Sequence, residues 1–509
     1  MAMAVVLCLV GLCLAGDLVR AVRLIEENGY RGMSHYYHLG DGSHAYHFNT
    51  ETSSSLYFRC VFYDKLNCRG RAIMRFGGAF RHSNPHNHPP DRDLVSKRHF
   101  RENVLDECRD AKYVSYQQIL DKARSDRRYH RRVRCTMTMR RLRNAMYKAR
   151  MDSFPQIPDT LSEVTQLLLQ RRWAKISSTV DGDDNLYAGS ITALDGSHNV
   201  VFMSRRMRDF AGRISILQSD GTFRARPIVP PTSQVFVLVT PWQNAVIPIG
   251  WVLMEKRTYS AYRAVIHLLK RLCPDLQPGV IVTDWEWPQQ RAWQEAFPNA
   301  RVQGCLWHLC RAYVRKVAQL GLLKFRQSLP DMFDIIRKVC GIALLPRRFF
   351  LVGLGLLRAE ALQTDVLIAY LLRPFFTYVE TKWITNGRRR YWMNLYNSMH
   401  RTNNCCESHN KQLRTAVGAY RPNIYAFIAA LARLEHNAYL NVDLMDMGGV
   451  ARRSRRWQAV FADAQIKNLC NEFDNDVFRN RNVTVQNFLN QAADLFYSAY
   501  RYHLDRAGR

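Results

Sequence analysis

The chain has few acidic residues, few cysteines and no long internal apolar run. Its 13 cysteines in 509 residues are far below the density of a disulfide scaffold. The cysteine content therefore fits a reducing compartment better than an oxidising one, and some cysteines would be available as metal ligands. Beyond the first residues, no run approaches the roughly 20 apolar residues that span a bilayer, which argues against an integral or stable membrane association. No internal repeat or low-complexity tract is evident, and 47% hydrophobic residues exclude wholesale disorder.

The shortage of acidic residues leaves a large positive charge. The chain has 43 Asp and Glu against 73 Lys and Arg, so its formal net charge is +30. The surplus is dominated by arginine, whose planar guanidinium can contact two phosphate oxygens at once. A polyanion is the expected partner, and nucleic acid is the commonest one. The alternative is a basic surface that binds nothing.

The N-terminus is the exception to this polar character. Residues 2–16, AMAVVLCLVGLCLAG, have the length and the small-residue end of a secretory signal. The usual positive residues before the apolar stretch are missing, because the first basic residue is Arg20. We expect an apolar N-terminal segment that is not a functional signal, either a gene-model artefact or a packed helix.

The patterns along the chain predict several regions. Residues 30–80 alternate in a strand-like way, whereas residues 99–150 lack turn residues and predict basic helices. In the centre, apolar runs at 214–217, 235–239, 246–252 and 279–284 predict strands, with a helix over 259–272. This order indicates an α/β sheet with an antiparallel meander. Residues 312–396 are expected to be mostly helical.

Four residues near the N-terminus suit a zinc ion. Cys60 and Cys68 precede His86-x-His88 in a Pro-rich loop, and two thiolates with two imidazoles satisfy a tetrahedral zinc. With all four positions filled by protein, the site would be structural. The alternative is a pair of core cysteines with surface histidines in a turn.

Three acids have the spacing of a metal-dependent phosphoryl-transfer site. Asp220 and Asp284 each lie where a predicted strand ends, and Glu407 lies at the start of a predicted helix. Convergent carboxylates can hold two divalent cations about 3.5–4 Å apart for an in-line displacement. Taken singly, each acid is better explained by ordinary turn chemistry, and the case rests on their combination with a basic chain and a DNA-like partner. Glu286 is a rival for Asp284.

Three stretches resemble the Mutator-like element (MULE) transposase domain over residues 212–430. They are LQSDGTFRARP, VTDWEWPQQRAWQEAFPNARVQGCLWHLCRAYVRKV and NNCCESHNKQLR. The N-terminal cysteines and histidines resemble a FLYWCH-type zinc finger. The resemblance implies an α/β chain with a ribonuclease H-like core, a helical insertion, and a small β-rich zinc module and basic helices before it. It also implies that Asp220, Asp284 and Glu407 hold Mg²⁺ or Mn²⁺, and that the N-terminal module holds Zn²⁺.

The same resemblance sets the expected division of the chain. The expected parts are an apolar segment (1–24), a FLYWCH-like module (25–92), a basic, mostly helical DNA-binding region (93–210), the first part of the core (211–320), the insertion (321–400), the core-closing helix with the third acid (401–450) and a C-terminal helical region (451–509).

The expected function is that of a DDE-type transposase. Such an enzyme cuts double-stranded element ends and joins the 3′-OH to target DNA, acts as a homo-oligomer because it pairs two ends, and works in the nucleus. The DNA contacts are expected from Arg127, Arg128, Arg131, Arg132, Arg134, Arg140, Arg141 and Arg143. One alternative is a transposon-derived DNA-binding regulator without catalysis. Another is a secreted basic protein, which would require oxidised cysteines.

Three further residues are candidates for supporting the acids. Cys305 and His308 form a Cys-x-x-His motif between the second and third acids, and His409 follows Glu407. The motif either contacts DNA and orients the site or forms a packed strand-to-helix junction. His409 is expected to contact DNA or a carboxylate.

Overall fold

A computed structural model describes residues 10–11, 22–28, 35–39, 44–76, 80–110, 114–418, 422–451, 457–477, 481–495 and 504–505. The described residues form two compact units, 1–155 and 156–509. Most of the apolar N-terminal segment lies outside the described residues. In the described part of the chain, no helix has the length and apolar character needed to cross a membrane.

The first unit begins with an antiparallel sheet in which each strand pairs with the next in sequence. Alternate residues point to one face, where Tyr46, Phe58, Ala72 and Phe80 form a small aromatic core. A short helix, α1 (Tyr63–Leu66), follows the fifth strand. The strands are β1 (Val10–Gly11), β2 (Val22–Asn28), β3 (His35–Leu39), β4 (Ala45–Glu51), β5 (Ser55–Cys60), β6 (Arg71–Arg75) and β7 (Phe80–Asn84).

Four basic helices complete this unit. They are α2 (Leu94–Asp110), α3 (Tyr116–Ser125), α4 (Arg131–Thr136) and α5 (Met139–Asp152). Their apolar residues recur at helical spacing, so Phe100, Leu120, Val133 and Met146 meet in one core. A capping box between Ser115 and Gln118 fixes the start of α3. Most of the arginines lie on the outer faces, whereas Arg98 is buried.

The second unit contains a mixed sheet in the order β14-β13-β10-β11-β12-β9-β8. The strands β10, β11 and β12 form an antiparallel meander, while β13 and β14 run parallel to β10. The predicted meander is present, but we did not predict β8, β9 or β14. The bounds are β8 (Tyr187–Thr192), β9 (His198–Phe202), β10 (Ile216–Thr222), β11 (Gln234–Trp242), β12 (Ala245–Met254), β13 (Val280–Thr283) and β14 (Arg301–Gly304).

Helices surround the sheet and continue beyond it. Helix α15 packs on the sheet through Cys406, His409 and Leu413, which recur at helical spacing. It ends at Gly418, whose positive φ of 67° suits glycine. The helices are α6 (Leu161–Leu169), α7 (Arg205–Ala211), α8 (Tyr259–Leu272), α9 (Trp287–Ala296), α10 (Leu306–Gln319), α11 (Pro330–Gly341), α12 (Phe350–Thr364), α13 (Val366–Val379), α14 (Gly387–Trp392), α15 (Asn404–Val417), α16 (Ile424–Asp446), α17 (Trp457–Asp476) and α18 (Arg481–Leu495).

An ion pair between the partly exposed Arg206 and the fully buried Glu435 joins α7 to α16. The side chain of Glu435 is completely inaccessible to solvent. Arg206 donates to both of its carboxylate oxygens at 3.1 Å. The hydroxyl of Ser204, the N-cap residue of α7, donates to Oε1 of Glu435 at 2.8 Å. Every oxygen of this buried carboxylate therefore has a partner, as burial of a charge requires.

The segment between α10 and α15 forms a helical body with its own apolar core. Its core includes Tyr313, Ile336, Phe375 and Trp383, and the C-terminal residues Phe473 and Leu489 pack into it. Helix α13 continues into a π-helical turn, Glu380–Ile384. The insertion predicted between the second and third acids is thus helical, and α17 and α18 share its core.

Candidate functional site

Asp220 and Asp284 lie at one edge of the mixed sheet. Strands β10 and β13 are parallel, and Ser219 is paired in register with Thr283. Each aspartate is the next residue on its strand, so both project from the same end. Gly221 N donates to Oδ1 of Asp220 at 2.7 Å, which fixes the orientation of that carboxylate.

The electrostatics of this edge favour a cation. Burial and the charges of Asp284 and Glu407 raise the pKa of Asp220 to about 7, against the opposing effects of His308 and the Gly221 N–H. Oδ1 of Asp284 is buried and has no hydrogen-bond partner among the described residues. Two crowded carboxylates with an unsatisfied oxygen suit hard divalent cations such as Mg²⁺ or Mn²⁺.

Helix α15 brings Glu407 to the same edge through three contacts with β10. Asn403 Nδ2 donates to the carbonyl of Ser219 at 3.3 Å, and Cys405 N donates to Oε1 of Gln218 at 3.2 Å. Farther along the helix, Asn410 Nδ2 donates to Oδ2 of Asp220 at 2.9 Å. Glu407, in the first turn of α15, therefore faces the site, although the three carboxylates do not form one tight ligand cluster among the described residues.

The Cys-x-x-His motif contacts the second aspartate. His308 Nδ1 lies 2.7 Å from Oδ1 of Asp284, but the two groups are not aligned for a hydrogen bond. Burial alone would lower the pKa of His308, but Asp284 and Cys305 raise it to about 11. The ligand atoms of Asp284, Cys305 and His308 lie within 4.8 Å of one another. The motif is therefore part of the acidic site as well as a packed junction.

Cys305 connects the motif to the third acid. Its sulfur is buried and accepts a hydrogen bond of 3.3 Å from Asn403 N, while its own N–H donates to the carbonyl of Thr283 at 2.9 Å. Cys305 thereby links the end of β13, which precedes Asp284, to the start of α15.

The four predicted zinc ligands converge in the first unit. Their ligand atoms all lie within 4.8 Å of one another. Cys60 Sγ is 3.2 Å from His88 Nε2, and Cys68 Sγ is 3.4 Å from His86 Nδ1. Burial lowers the pKa of His86 to about 4, which keeps its ring neutral and able to bind metal.

The backbone around the cysteines also suits a metal centre. Phe62 N donates to Cys60 Sγ at 3.3 Å and Gly70 N donates to Cys68 Sγ at 3.4 Å. Such N–H groups stabilise thiolate ligands. A Cβ on Gly70 would lie 2.5 Å from Nδ1 of His86, so only glycine leaves room for this ring. The donor set and its surroundings fit Zn²⁺.

Comparisons with protein-family models agree with both arrangements. Residues 216–312 match the MULE transposase domain, and residues 34–88 match the FLYWCH zinc finger domain. Residues 216–312 are thus similar to a transposase domain, and residues 34–88 to a zinc finger. The MULE match contains Asp220, Asp284, Cys305 and His308, and the FLYWCH match contains all four zinc ligands. A comparison with curated proteins finds no match.

The FLYWCH domain has a second layer of contacts that the sequence analysis missed. The hydroxyl of Tyr46 lies 2.8 Å from His86 Nε2 and 2.6 Å from His82 Nδ1. His44 stacks on the His86 ring with centroids 3.7 Å apart. On the other side, His88 Nδ1 donates to the carbonyl of Pro89 at 2.9 Å. Each histidine ligand is thus held through the ring nitrogen that does not face the cysteines.

Two side chains near Asp220 and Asp284 form hydrogen bonds or ion pairs with other residues. His409 is buried and accepts a hydrogen bond of 3.0 Å from Trp251 Nε1, and burial lowers its pKa to about 4. It packs on the sheet as a neutral ring. Glu286 pairs with Arg257 at 3.0 Å and accepts from the hydroxyl of Tyr262 at 3.0 Å.

The eight candidate DNA-binding arginines lie between α3 and α5 and are mostly exposed. Arg128 pairs with Asp126 at 2.7 Å and Arg132 with Asp93 at 3.5 Å. Arg134 and Arg141 donate to backbone carbonyls. The other four form no salt bridge within the described ranges; they are Arg127, Arg131, Arg140 and Arg143. Their guanidinium groups remain available for phosphates.

Proposed function

We propose that this chain is a DDE-type DNA transposase, which cuts element-end DNA and joins the 3′-OH to target DNA. The observation that carries the proposal is the parallel register of β10 and β13, which brings Asp220 and Asp284 to one edge inside the MULE match. Glu407 completes the set from α15. The strand order β12-β11-β10-β13-β14 supports a ribonuclease H-like core interrupted by the helical insertion.

Asp220, Asp284 and Glu407 would hold the divalent cations. Bound Mg²⁺ or Mn²⁺ would supply an activated oxygen nucleophile and neutralise charge on the scissile phosphate. The chain itself positions the carboxylates: Asn410 and Gly221 orient Asp220, and His308 restrains Asp284 by its contact.

DNA binding would come from the first unit. The free arginines of α4 and α5 supply phosphate contacts, and the FLYWCH domain adds a folded module whose stability depends on Zn²⁺. Transposition requires two element ends to be paired, so we also propose a homo-oligomer acting in the nucleus.

A transposon-derived DNA-binding regulator is the second candidate. One observation favours it: the three carboxylates do not form a single tight cluster among the described residues, whereas Asp284 already contacts His308. Such a protein would bind DNA through the same arginines and zinc finger without cutting it.

The deciding experiment is a Mg²⁺-dependent nicking and strand-transfer assay on duplex DNA that carries the element's terminal repeats. Wild type is compared with Asp220→Ala, Asp284→Ala and Glu407→Ala, and with Glu286→Ala as a matched acidic control beside the site. The transposase predicts activity in wild type and its loss in all three acid variants. Salt-sensitive binding without cleavage in every protein would support the regulator instead.

A further inference from the structure

A cleft of about 600 Å³ opens beside Asp284. Asp284 and His308 line one end of it. The remaining wall comes from α10 on one side and from the π-helical turn and α14 on the other. The sheet core and the helical insertion therefore both contribute to the cleft.

Four cations line this cleft without acidic partners, and we call it the basic cleft. Across the described ranges, none of them forms a salt bridge; they are Arg315, Lys316, Lys382 and Arg389. Of the two acids that line it, Glu286 pairs with Arg257 at 3.0 Å and Asp284 contacts His308 at 2.7 Å. Because opposed charges would normally balance such a cluster, its excess charge points to an anionic ligand.

The cations are close enough to influence one another. Burial lowers the pKa of Lys382, and the charges of Arg389, Lys316 and Arg315 lower it further. Their mutual repulsion opposes folding, and a bound anion would relieve it.

Aromatic rings hold the cations in place. Lys316 and Lys382 lie 5.4 and 5.3 Å from the centre of the Tyr378 ring, and so flank a single aromatic side chain. Arg389 lies 5.1 Å from the centre of the Trp383 ring. The Trp383 indole N–H is buried and has no hydrogen-bond partner in the described part of the chain.

The π-helical turn accounts for the placement of two of these residues. Thr385 N donates to the carbonyl of Glu380 at 2.8 Å. This bond spans five residues, whereas an α-helical hydrogen bond spans four. Lys382 and Trp383 are consecutive, yet both line the cleft. Single π-helical turns inside helices are frequent at functional sites, and this one is located where the insertion faces Asp284.

We propose that the basic cleft binds the sugar–phosphate backbone of one DNA strand and leads it to Asp284. The inference rests on the proposed function, because it assigns part of the substrate path at the same site. Lys316, Lys382 and the arginines contact phosphate oxygens, and the Tyr378 ring positions the two lysines.

The dimensions favour a strand over a free nucleotide or polyphosphate. Along α10, the lining residues run from His308 to Gln319. That span corresponds to roughly 16 Å at about 1.5 Å of rise per residue. A strand carries one phosphate per about 3.4 Å in duplex DNA, so several successive phosphates fit along this wall.

Photo-crosslinking of the full-length chain tests the assignment. A short single-stranded oligothymidylate containing 4-thiothymidine is bound in EDTA, irradiated, and the crosslinked peptides are mapped. We expect crosslinks at Tyr378–Trp383 that are lost in Lys316→Ala/Lys382→Ala and retained in Lys175→Ala/Arg271→Ala. The control removes the same charge from exposed residues of the same unit. Crosslinks absent from this segment, or unaffected by the double variant, would overturn the proposal.

Salt dependence provides a quantitative readout that does not require crosslinking. Each phosphate contact on a single strand contributes about 0.7 to the slope of log K against log salt. The Lys316→Ala/Lys382→Ala variant should therefore lower that slope by about 1.4, and the control pair should leave it unchanged. Equal slopes in both double variants would contradict the assignment.

Two further crosslinking experiments distinguish binding of a DNA strand from binding of free polyphosphate and from metal-dependent binding. Inorganic tripolyphosphate at the same phosphate concentration should leave the crosslink in place, and its displacement would assign the cleft to free polyphosphate. Asp284→Asn should retain the crosslink, because the cations bind the strand without metal. Failure of nicking in wild type with the crosslink intact would contradict only the transposase proposal. Normal nicking without the crosslink would contradict only the strand assignment.

Discussion

Asn410 Nδ2 donates a 2.9 Å hydrogen bond to Oδ2 of Asp220. This bond joins the helix that carries Glu407 directly to the first aspartate of the candidate site. Among the three contacts that hold α15 to β10, this is the one made by the carboxylate of Asp220 itself, three residues after Glu407 in sequence.

Removing that contact should reduce cleavage without reducing DNA binding. A hydrogen bond to a charged group contributes about 1.5–3 kcal/mol, so Asn410→Ala should slow Mg²⁺-dependent nicking by about 10–100-fold. Thr415→Ala, on the exposed part of the same helix, should nick at the wild-type rate. An Asn410→Ala protein with unchanged nicking would show that Asp220 does not depend on this contact.

Gly70→Ala should abolish zinc binding by the FLYWCH domain. The added methyl would lie 2.5 Å from His86 Nδ1, so the ring must leave the position it needs for ligation. Zinc per chain, measured by atomic absorption, should fall to near zero. In Gly355→Ala, an added Cβ meets nothing within 4 Å, so that variant should keep its zinc. Full zinc content in Gly70→Ala would exclude His86 as a ligand.

Tyr46→Phe tests whether the hydroxyl of Tyr46 increases zinc affinity through its contact with His86. The substitution keeps the buried ring but removes the hydroxyl that contacts His86 and His82. Loss of such an outer contact typically lowers metal affinity by about 10–100-fold, which competition with a chelator can measure. Tyr57→Phe, on the neighbouring strand, serves as the control. Equal affinity in the two variants would mean that the hydroxyl does not tune the site.

The aspartate pair predicts a specific pH dependence of stability in EDTA. Because the pKa of Asp220 is raised to about 7 in the folded chain, the folded state retains a proton that the unfolded state has released. Stability should therefore fall as pH rises from about 4 to about 7. Mg²⁺ should offset the fall, since it favours the ionised carboxylates, and Asp220→Asn should reduce it. A pH profile in wild type identical to that of Asp220→Asn would contradict this view.

The ion pair of Glu435 predicts a difference between two similar substitutions. Glu435→Ala removes the buried partner of Arg206, which is a third exposed and keeps its pair with Asp181, so the free energy of unfolding should fall by about 1.5–3 kcal/mol. Asp446→Ala removes an exposed pair with Arg213 and should cost about 0–1 kcal/mol. Denaturant unfolding of the full-length chain measures both. Equal costs would mean that solvent reaches Glu435.

Site residues were predictable where the neighbouring sequence carries a recognisable pattern. The zinc ligands combine metal-binding side chains with short spacings, and the two aspartates follow apolar runs that form strands β10 and β13. Tyr46, Asn403 and Asn410 were not predicted as supporting residues, because each acts on a partner far away in sequence. His409 has the right side chain and position for a site residue, but burial against Trp251 directs it to the sheet, and no local pattern reveals that.

The outer strands and the basic cleft were unpredictable for a related reason. Strands β8 and β9 are short and lie next to helical patterns, so the pairing of β9 with β12 and of β8 with β9 depends on tertiary contacts. The cations of the cleft come from α10 and from residues 382–389, which the fold of the helical body between α10 and α15 brings together. Their common lack of acidic partners is visible only in three dimensions.

The family match ends inside α10, at residue 312, but the folded body does not end there. Tyr313 and Val317 of the same helix are buried in a core that Phe473, Phe488 and Leu489 complete from near the other end of the chain. A fragment cut at the match would expose this apolar face and lack Glu407 altogether. Shortening of such a gene from its 3′ end would thus impair folding before it reached the codons of any of the three acids.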